Sequence, residues 1–401
     1  MTDNKIIVAG MGCLCACGNT VQSAFEGCLS GISNFVLPSG RVQSSYTSKF
    51  PVFLIPQTQY TQKPKDLTFS QYFFIKAAEQ AFNHAGITPQ QLNPQRVGVI
   101  IGASVFPSFH CFDIYKNWKN NNFTSADGEG IKTYLSTPLA KWVSEYFGFK
   151  GPFQTVVTAC ASGTDAIGLA KNWIETGLCD AVLCGGTDEV SESPYDGFIR
   201  LLIATKERCR PFCKTRTGIN LGEGAAALLL VNKETSKKFN LPCQGYVLGY
   251  GNTCDAFHPT APDPQAYGLK KALAFAVKES GVKLQDLAFI NAHGTASPAN
   301  DSAEAIAFNK ILPSVPVWGS KGTTGHTLGA AGSLELAVCF YAIKAQVLPV
   351  HLWDGVQDEE IPTLNLVSAS GTAEKPKIAC CMSNSFAFGG CNASLIVKTE
   401  N

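Results

Sequence analysis

The sequence predicts an α/β fold in which a mixed sheet is covered by helices, and three observations indicate this class. Apolar strand-like runs alternate with longer helical patterns along the chain. Of the 401 residues, 45% are hydrophobic and only 16% are charged, which favours a heavily buried globular protein. A strand–turn–helix plan occurs at residues 154–180 and again at 316–348, which indicates two duplicated halves.

The predicted strands are short β-rich runs bounded by turn residues. In chain order they are Lys5–Gly10, Arg96–Ile101, Gln154–Thr158, Ala181–Gly185, Ala225–Val231, Ala288–Asn291, Pro316–Gly319, Ile378–Met382 and Ala393–Val397. Helical spacing of apolar residues predicts helices over Ser70–Ala85, Thr164–Thr176, Pro264–Ser280 and Ser333–Ala345. No Pro/Ser-rich linker separates the halves, which we place at residues 1–240 and 241–401.

Composition and charge exclude several classes of function. The 32 basic and 31 acidic residues leave a formal charge of +1, so no net basic surface for nucleic acid is indicated. No apolar run in the sequence reaches the roughly 18 to 20 residues of a membrane span. The first apolar run lacks the basic region that precedes a signal peptide. The 16 cysteines show no disulfide framework, so we expect a reducing, cytoplasmic compartment.

Cysteine spacing does not match a zinc site. Cys13, Cys15 and Cys17 alternate, and Cys380 and Cys381 are adjacent, unlike the paired CxxC motifs of structural zinc. The sequence also has no GxxxxGK[ST] phosphate loop and no strand-bounded GxGxxG. We therefore expect no metal centre and no nucleotide cofactor.

The segment TVVTACASGTDAIG contains the strongest candidate for chemistry. A β-rich run ends at Cys160, small residues follow, and a helix begins whose apolar face includes Ile167 and Ala170. At the positive end of a helix dipole, backbone N–H groups lower a thiol pKa and stabilise an oxyanion. From these residues alone, a nucleophile and a buried structural cysteine are equally good interpretations of Cys160.

Two of the six histidines lie in Gly- and Thr-rich segments after predicted strands. His293 precedes Gly-Thr, and His326 ends the segment GSKGTTGH. A histidine at a strand end presents a titratable group at the carboxyl edge of the sheet, where α/β active sites gather. Each histidine alone is more often a packing residue, but together with Cys160 they suggest a Cys-His-His site.

Four motifs occur in a fixed order over nearly the whole chain: TACASG, NAHGTASPANDSAE, GSKGTTGHTLGAAGSLE and SNSFAFGGCNA. In order and spacing they resemble the β-ketoacyl-acyl-carrier-protein synthases of the elongating type. The resemblance implies a thiolase fold, with two duplicated halves in a five-layer αβαβα arrangement. It also implies decarboxylative Claisen condensation of an acyl-Cys enzyme with malonyl carrier protein, in fatty-acid or polyketide and polyene elongation.

The resemblance further implies a role for each residue that matches a motif position. The matches are Cys160 as the acyl-accepting nucleophile, His293 and His326 as the histidines of the trio, Lys321 as a catalytic lysine, Glu335 as its site-ordering partner, Thr295 and Ser297 as contacts to the pantetheine arm, and Phe388 as a gating aromatic. The backbone N–H groups of Cys160 and Phe388 are expected to hold the oxyanion.

The implied partner is an acyl carrier protein, which presents substrates on phosphopantetheine, and no cofactor is expected on the enzyme itself. A homodimer and a heterodimer with a chain-length-factor-like subunit both stay open. Carrier proteins of this class are acidic, so a local basic patch is expected to meet them. The candidates are Lys63, Lys65, Lys206, Arg208 and Arg210.

A non-catalytic chain-length-factor-like subunit is the main alternative, although the nucleophile that such subunits usually lack is present. A thiolase and an initiating Cys-His-Asn synthase fit the motifs less well. In the gating loop, residues 386–390, Ala387 stands where Gly is usual, and Cys391 directly after the loop stands where Thr is usual. Because positive φ costs alanine about 1 kcal/mol or more, we expect either a stiffer gate or movement at another hinge, such as Gly389-Gly390. If Ala387 has a negative φ, the replacement has no effect. This departure favours a rigid polyketide or polyene substrate.

Overall fold

The computed structural model describes residues 5–38, 40–105, 108–136, 138–352, 355–367 and 378–399. The strands are β1 (Ile6–Cys15), β2 (Phe35–Val36), β3 (Val52–Phe53), β4 (Val97–Gly102), β5 (Phe153–Val156), β6 (Ala181–Asp188), β7 (Gly224–Val231), β8 (Gly245–Cys254), β9 (Phe289–Asn291), β10 (Val317–Trp318), β11 (Cys380–Phe386) and β12 (Cys391–Lys398). The helices are α1 (Val21–Ser30), α2 (Phe69–Ala85), α3 (Ser108–Lys119), α4 (Ser125–Ser136), α5 (Leu139–Phe147), α6 (Ser162–Glu175), α7 (Glu192–Arg200), α8 (Lys233–Phe239), α9 (Tyr267–Ser280), α10 (Pro298–Ile311), α11 (Lys321–Thr324) and α12 (Ala331–Ala345).

The strand order of the large sheet records a duplication. Its described strands run β10-β9-β11-β12-β8-β1-β7-β6-β4-β5, while β2 and β3 pair separately. Outwards from the centre, β1-β7-β6-β4-β5 in the first half repeats as β8-β12-β11-β9-β10 in the second. The parallel and antiparallel pairings repeat as well. The halves join where Ile6–Val8 pairs antiparallel with Gly245–Val247.

Helices enclose the two half-sheets in layers. Helices α2 and α5 cover the outer face of the first half, and α9 and α10 lie on the outer side of the second. Helices α6 and α12 pack against each other between the halves. Separate apolar clusters fill the outer interface of each half, and a third surrounds the central helix pair. The arrangement confirms the predicted duplicated α/β architecture.

The first turns of α6 and α12 meet at a seam of small residues between the halves. A Cβ atom added at Gly163 would lie 2.6 Å from the carbonyl oxygen of Gly329, and one added at Gly186 would collide with the same oxygen. Backbone therefore packs directly on backbone, and a side chain at these positions would force the halves apart. The small residues that mark both helix starts in the sequence have this packing role.

Strand β8 is the one long strand that the sequence patterns do not predict. Glycines at positions 245, 249 and 251 lower its apparent strand propensity. In the structure, a Cβ at Gly251 would lie 2.8 Å from the backbone nitrogen of Ala276, and one at Gly249 would lie 2.8 Å from the Cβ of Ser280, so these two glycines allow α9 to pack closely on the strand. The half boundary proposed at residue 240 falls between α8 and β8 and stays a prediction.

One described helical stretch, Leu328–Ala345, is long and apolar enough to cross a membrane, but 83% of it is buried inside the protein. It contains α12, whose residues belong to the central apolar cluster. Its composition therefore follows from its position between the two halves.

Candidate active site

Cys160 lies on the turn between β5 and α6, where the sequence predicts a nucleophile. Ala159 adopts a φ of 50°, which ends the strand and directs the chain into the helix. The Cys160 side chain is buried, and its Sγ lies 2.8 Å from Nε2 of His326. The short helical turn Ala159–Ala161 thus presents the thiol to a side chain from the other half.

Burial raises the pKa of the Cys160 thiol to about 12, although the Lys321 charge and the backbone N–H of Phe388 lower it. The effect expected from the helix end is therefore outweighed by desolvation. At neutral pH the resting thiol is protonated, and it needs a base to become a nucleophile. His326 is the base in contact with it.

His326 follows α11 and is anchored through its backbone, which donates a 2.8 Å hydrogen bond to the carbonyl of Asn220. Burial, and secondly the Lys321 charge, hold the pKa of the imidazole well below its ordinary value, so the ring is neutral at neutral pH. Among the described residues, its Nδ1 has no hydrogen-bond partner. No described contact at Nδ1 therefore fixes which ring nitrogen carries the proton.

His293 lies on the loop after β9, with its ring centroid 5.1 Å from that of His326 and nearly perpendicular to it. The Lys321 ammonium donates to its Nδ1 at 3.3 Å, which leaves the proton of a neutral ring on Nε2. Burial, and then the charge of Lys321, hold the pKa of His293 well below its ordinary value. His293 is therefore a neutral hydrogen-bond donor.

Lys321 and Glu335 form a fully buried ion pair with an Nζ–Oε1 distance of 2.7 Å. The Ser320 hydroxyl donates to the same carboxylate oxygen at 2.8 Å. Burial raises the pKa of Glu335, while Lys321 opposes that shift. The pair holds the ammonium beside His293, behind the wall of the site rather than in it.

Glu304 is a positioning residue that the sequence analysis did not single out. Its carboxylate, on α10, accepts the backbone N–H groups of His293 at 2.7 Å and Gly294 at 2.6 Å. The Asn300 side chain donates to the same carboxylate. In the sequence, its only signal is its place at the end of the motif that contains His293. It fixes the loop on which His293 sits.

A cavity of about 340 Å³ opens onto the trio. Thr295 and Ser297 line one wall, and their hydroxyl oxygens lie 2.9 Å apart. The lining includes Cys160, Phe198, Ile203, Ile219, Asp255, His293, Thr295, Ser297, His326, Phe386, Phe388 and Asn392. Every predicted site residue is thus found either in this wall or, for Lys321 and Glu335, directly behind it.

Phe388 packs against an aromatic residue that lies in none of the four motifs. Its ring stacks on Phe198 of α7, with centroids 5.6 Å apart and planes 21° apart. Phe198 also lies edge-on to His326 at 6.3 Å. In the sequence, Phe198 is an aromatic residue far from every motif, so no pattern marks it as part of the site.

The backbone conformation of the gating loop contradicts the prediction that Ala387 stiffens it through a positive φ. This residue has a φ of −130°, an extended conformation that any residue adopts, so its alanine side chain causes no backbone strain. Positive φ occurs instead at Gly389, at 78°, and Gly390, at 75°. The conformational freedom of glycine is used after Phe388 rather than before it.

The basic patch stays a prediction, but the structure separates its five candidate residues by their exposure. Arg208 is half-buried, donates to the hydroxyl of Ser33 and lies over the rings of Phe35 and Phe53. Burial lowers the pKa of its guanidinium. Lys206 is exposed and stays available for a partner.

The thiol of Cys160 and one nitrogen of each histidine all lie within 4.8 Å of one another. Thiolate and neutral imidazole are also the ligands that zinc prefers. Of the described residues, these three side chains are the set that could hold a soft metal ion.

The fold and the Cys-His-His geometry of this site are those of a condensing enzyme of the thiolase fold. The family model "Beta-ketoacyl synthase, N-terminal domain" matches residues 3–236, and "Beta-ketoacyl synthase, C-terminal domain" matches residues 244–353. The chain belongs to the β-ketoacyl synthase family. It is an acyl-transferring β-ketoacyl-acyl-carrier-protein synthase, as the motif resemblance predicts.

Relatives and solved structures match over the whole length. The 3-oxoacyl-[acyl-carrier-protein] synthase 2 of Synechocystis sp. is 30% identical over 98% of each chain. A solved ishigamide ketosynthase/chain length factor is 27% identical, with a TM-score of 0.88 over 99% of this chain and 100% of that chain. A ketosynthase in complex with its chain length factor from Xenorhabdus doucetiae is 27% identical, with a TM-score of 0.84 over 99% of this chain and 98% of that chain.

Proposed function

We propose that Cys160 carries the growing acyl chain and that His293 and His326 serve the decarboxylation and condensation that follow. The observation that supports this most directly is the 2.8 Å contact between the Cys160 Sγ and the His326 Nε2 inside a cavity. A neutral imidazole at that distance can take the thiol proton, which an isolated buried cysteine cannot lose.

The first step transfers the acyl group to the enzyme. Cys160 gives its proton to His326, and its sulfur bonds to the acyl carbon of the carrier thioester. The carbon–sulfur bond to the carrier then breaks, and the carrier thiolate takes the proton from His326. The backbone N–H groups of Cys160 and Phe388, both of which lower the pKa of the thiol, stabilise the oxyanion of this step.

The second step releases carbon dioxide from malonyl carrier protein. The bond to the carboxylate breaks, and its electron pair forms an enolate whose oxygen needs donors at about 3 Å. His293 donates from Nε2, because Lys321 occupies its Nδ1. Once Cys160 is acylated, His326 can also carry its proton on Nε2, since no described residue holds its Nδ1.

The third step forms the new carbon–carbon bond. The enolate carbon attacks the acyl-Cys160 carbonyl, and the oxyanion again rests on the two backbone N–H groups. The bond between the carbonyl carbon and Sγ breaks, which releases β-ketoacyl carrier protein. The Cys160 thiolate regains a proton from solvent through His326, which restores the resting trio.

We propose that the carrier's phosphopantetheine arm enters the cavity along Thr295 and Ser297, and that no bound cofactor takes part. The two hydroxyls offer hydrogen bonds to the amides of the arm, in a wall that is otherwise largely apolar. Each proton transfer above is assigned to a side chain of the site. A cytoplasmic location is consistent with the described cysteines, which are all free thiols.

We propose that a second chain pairs at the edge strand β5. In the described sheet β5 has β4 on one side and no strand on the other. Phe153, at its start, and Val157, directly after its end, are exposed. Two solved structures similar to this chain are described as ketosynthases with a chain length factor. Native mass spectrometry of the protein alone, and with a co-expressed chain-length-factor-like subunit, distinguishes a homodimer from a heterodimer.

We further infer that the substrate belongs to a polyketide or polyene pathway rather than to primary fatty-acid synthesis. The two structural neighbours with chain length factors support this, while the curated relatives keep fatty-acid elongation as the alternative. The test is intact-mass analysis of Cys160 after incubation with saturated and polyunsaturated acyl carrier proteins. Preferential acylation by the saturated carriers would overturn the assignment to a polyketide or polyene pathway. If no carrier acylated Cys160, the result would favour the alternative that the protein is a non-catalytic chain-length-factor-like subunit.

The clustered thiol and imidazoles also support a second candidate function, a site for zinc. Metal analysis of the purified protein decides between the two. Less than about one-tenth of an equivalent of metal, with full acylation of Cys160, is expected for the covalent mechanism. Stoichiometric zinc that blocks acylation would favour the metal site.

A further inference from the structure

Two cysteines face each other at the base of the gating loop. Cys254 ends β8, Cys391 begins β12, and the two residues are directly opposite in the antiparallel register. The next pair towards the loop is hydrogen-bonded, because the Asp255 N–H donates to the Gly390 carbonyl at 2.9 Å. Hydrogen-bonded and non-hydrogen-bonded pairs alternate along an antiparallel ladder, so Cys254 and Cys391 form a non-hydrogen-bonded pair.

This register suits a disulfide. Residues in a non-hydrogen-bonded pair have Cα atoms about 4.5 Å apart and side chains on the same face. A disulfide needs a Cα separation of roughly 4.4 to 6.8 Å, so the backbone need not move to form one. Both cysteines are free in the structure.

The two thiols are also accessible and contact the loop itself. Cys254 is exposed and Cys391 is partly exposed. The Cys254 thiol donates to the carbonyl of Gly389 at 3.5 Å. Gly389 is the first of the two loop glycines with positive φ. The pair therefore lies next to the backbone positions that give the loop its freedom.

We propose that Cys254 and Cys391 form a reversible disulfide that restrains the gating loop and slows acylation of Cys160. The reaction partner is a small-molecule disulfide such as oxidised glutathione. The Cys254 thiolate attacks one of its sulfurs and releases one glutathione thiol. Cys391 then attacks the Cys254 sulfur of the mixed disulfide and releases the second thiol, so two protein thiols are oxidised and one disulfide is reduced.

The proposed effect on acylation rests on the function proposed above. Phe388 must move from its stack on Phe198 to admit a long acyl chain, and Gly389 and Gly390 are the residues that can absorb that movement. The disulfide ties the residue after Gly390 to β8 and removes the thiol that now bonds the Gly389 carbonyl. A loop held more tightly at its base opens less often.

The first experiment detects the bond without using activity. The full-length protein is incubated with oxidised glutathione, digested and mapped by tandem mass spectrometry. A cross-linked peptide joining Cys254 to Cys391 is expected in the wild type and should disappear after reduction. It should be absent in Cys254→Ser and Cys391→Ser but present in Cys243→Ser, a matched control because Cys243 is exposed on the same tryptic peptide. A wild type without this cross-link would overturn the proposal.

The second experiment measures acylation of Cys160 by an acyl carrier protein before and after oxidation, with the Cys160 thiol shown to be free. The oxidised wild type should be slower by about threefold or more, and a reductant should restore it. The Cys391→Ser variant should be acylated at the same rate after oxidation as under reducing conditions. An unchanged rate in cross-linked protein would overturn the regulatory role. A reduced protein that accepts no acyl group would instead contradict the proposed function, whatever the cross-link shows.

Discussion

The two halves of the molecule share a topology but divide the chemistry between them. In the first half, residues 157–161 connect β5 to α6 and contain Cys160, the proposed nucleophile. In the second half, residues 319–330 connect the corresponding β10 to α12 and contain Lys321 and His326. The second connection is longer and forms the extra helix α11, after which His326 bridges to Leu221 of the first half.

This difference shows how a duplicated frame acquires an asymmetric site. The short connection holds a thiol at a helix start, and the long one brings a base across the seam to meet it. The site is complete only where the two connections meet, so a substitution in either half is expected to have its own kinetic signature.

The largest effect on condensation is expected from removing the thiol of Cys160, which the first half contributes to the site. Cys160→Ala should lower condensation by about a thousandfold or more, because it removes the only sulfur in contact with His326 among the described residues. Malonyl decarboxylation should persist, since both histidines remain. Product formation and carbon dioxide release are measured together, with Cys243→Ala as the control. Condensation at the wild-type rate would contradict the assignment.

Substituting the two histidines of the second half one at a time should separate their roles. His326→Ala should impair acylation, whereas His293→Ala should leave acylation largely intact and lower decarboxylation by about 10²- to 10⁴-fold. The reason is that only His326 contacts the thiol, while Lys321 orients His293 as a donor. Single-turnover acylation and carbon dioxide release separate the steps. Equal losses of both steps in the two variants would argue against this division.

The protonation state of the resting thiol gives a third test. Because the pKa of Cys160 is raised to about 12, its thiolate fraction grows throughout the neutral range. Alkylation by iodoacetamide should therefore rise about tenfold per pH unit from about pH 6 to pH 9. A small free thiol in the same solution should begin to level off near about pH 8.5. A plateau for Cys160 near neutral pH would show that its thiolate is stabilised at rest.

Substitutions at exposed Lys206 and half-buried Arg208 are expected to affect different properties, carrier docking and stability. Lys206→Glu is expected to raise KM for carrier-bound substrate by about threefold and to weaken its salt dependence. Arg208→Glu should instead lower the melting temperature, because Arg208 packs on Phe35 and Phe53. Steady-state kinetics at two salt concentrations and thermal denaturation measure these effects. An unchanged KM for Lys206→Glu at low salt would remove this residue from the docking surface.

The smallest effect is expected at Ala387. Ala387→Gly should change acylation by less than about twofold for saturated and polyunsaturated carriers, because the residue is already extended. Gly390→Ala should be more damaging, since its φ is 75° and a new Cβ would lie 2.9 Å from the Cβ of Asp255. Acylation rates of both variants give the comparison. A large gain for Ala387→Gly would revive the idea of a gate stiffened by alanine.

The clustering of the candidate catalytic residues could be predicted from the sequence because they lie in motifs whose order and spacing are specific. Strand β8 could not, because the glycines that suit it to close helix packing also make it resemble a loop. Phe198 and Glu304 act through contacts with residues distant in sequence, so local patterns give little sign of them. The motif at Ala387 shows that alanine replaces glycine but not the φ angle of the position, so a strained gate is predicted where the structure has extended backbone.

The glycine seam between α6 and α12 has a consequence for anyone who wishes to alter the products of this enzyme. Gly163, Gly186 and Gly329 leave no room for even one methyl group, and they lie beside the turn that presents the thiol. Libraries that include these positions would consist mostly of misassembled proteins. Ile203, Ile219 and Phe198 line the cavity without lying in this contact, so the choice of acyl chain is best redesigned there.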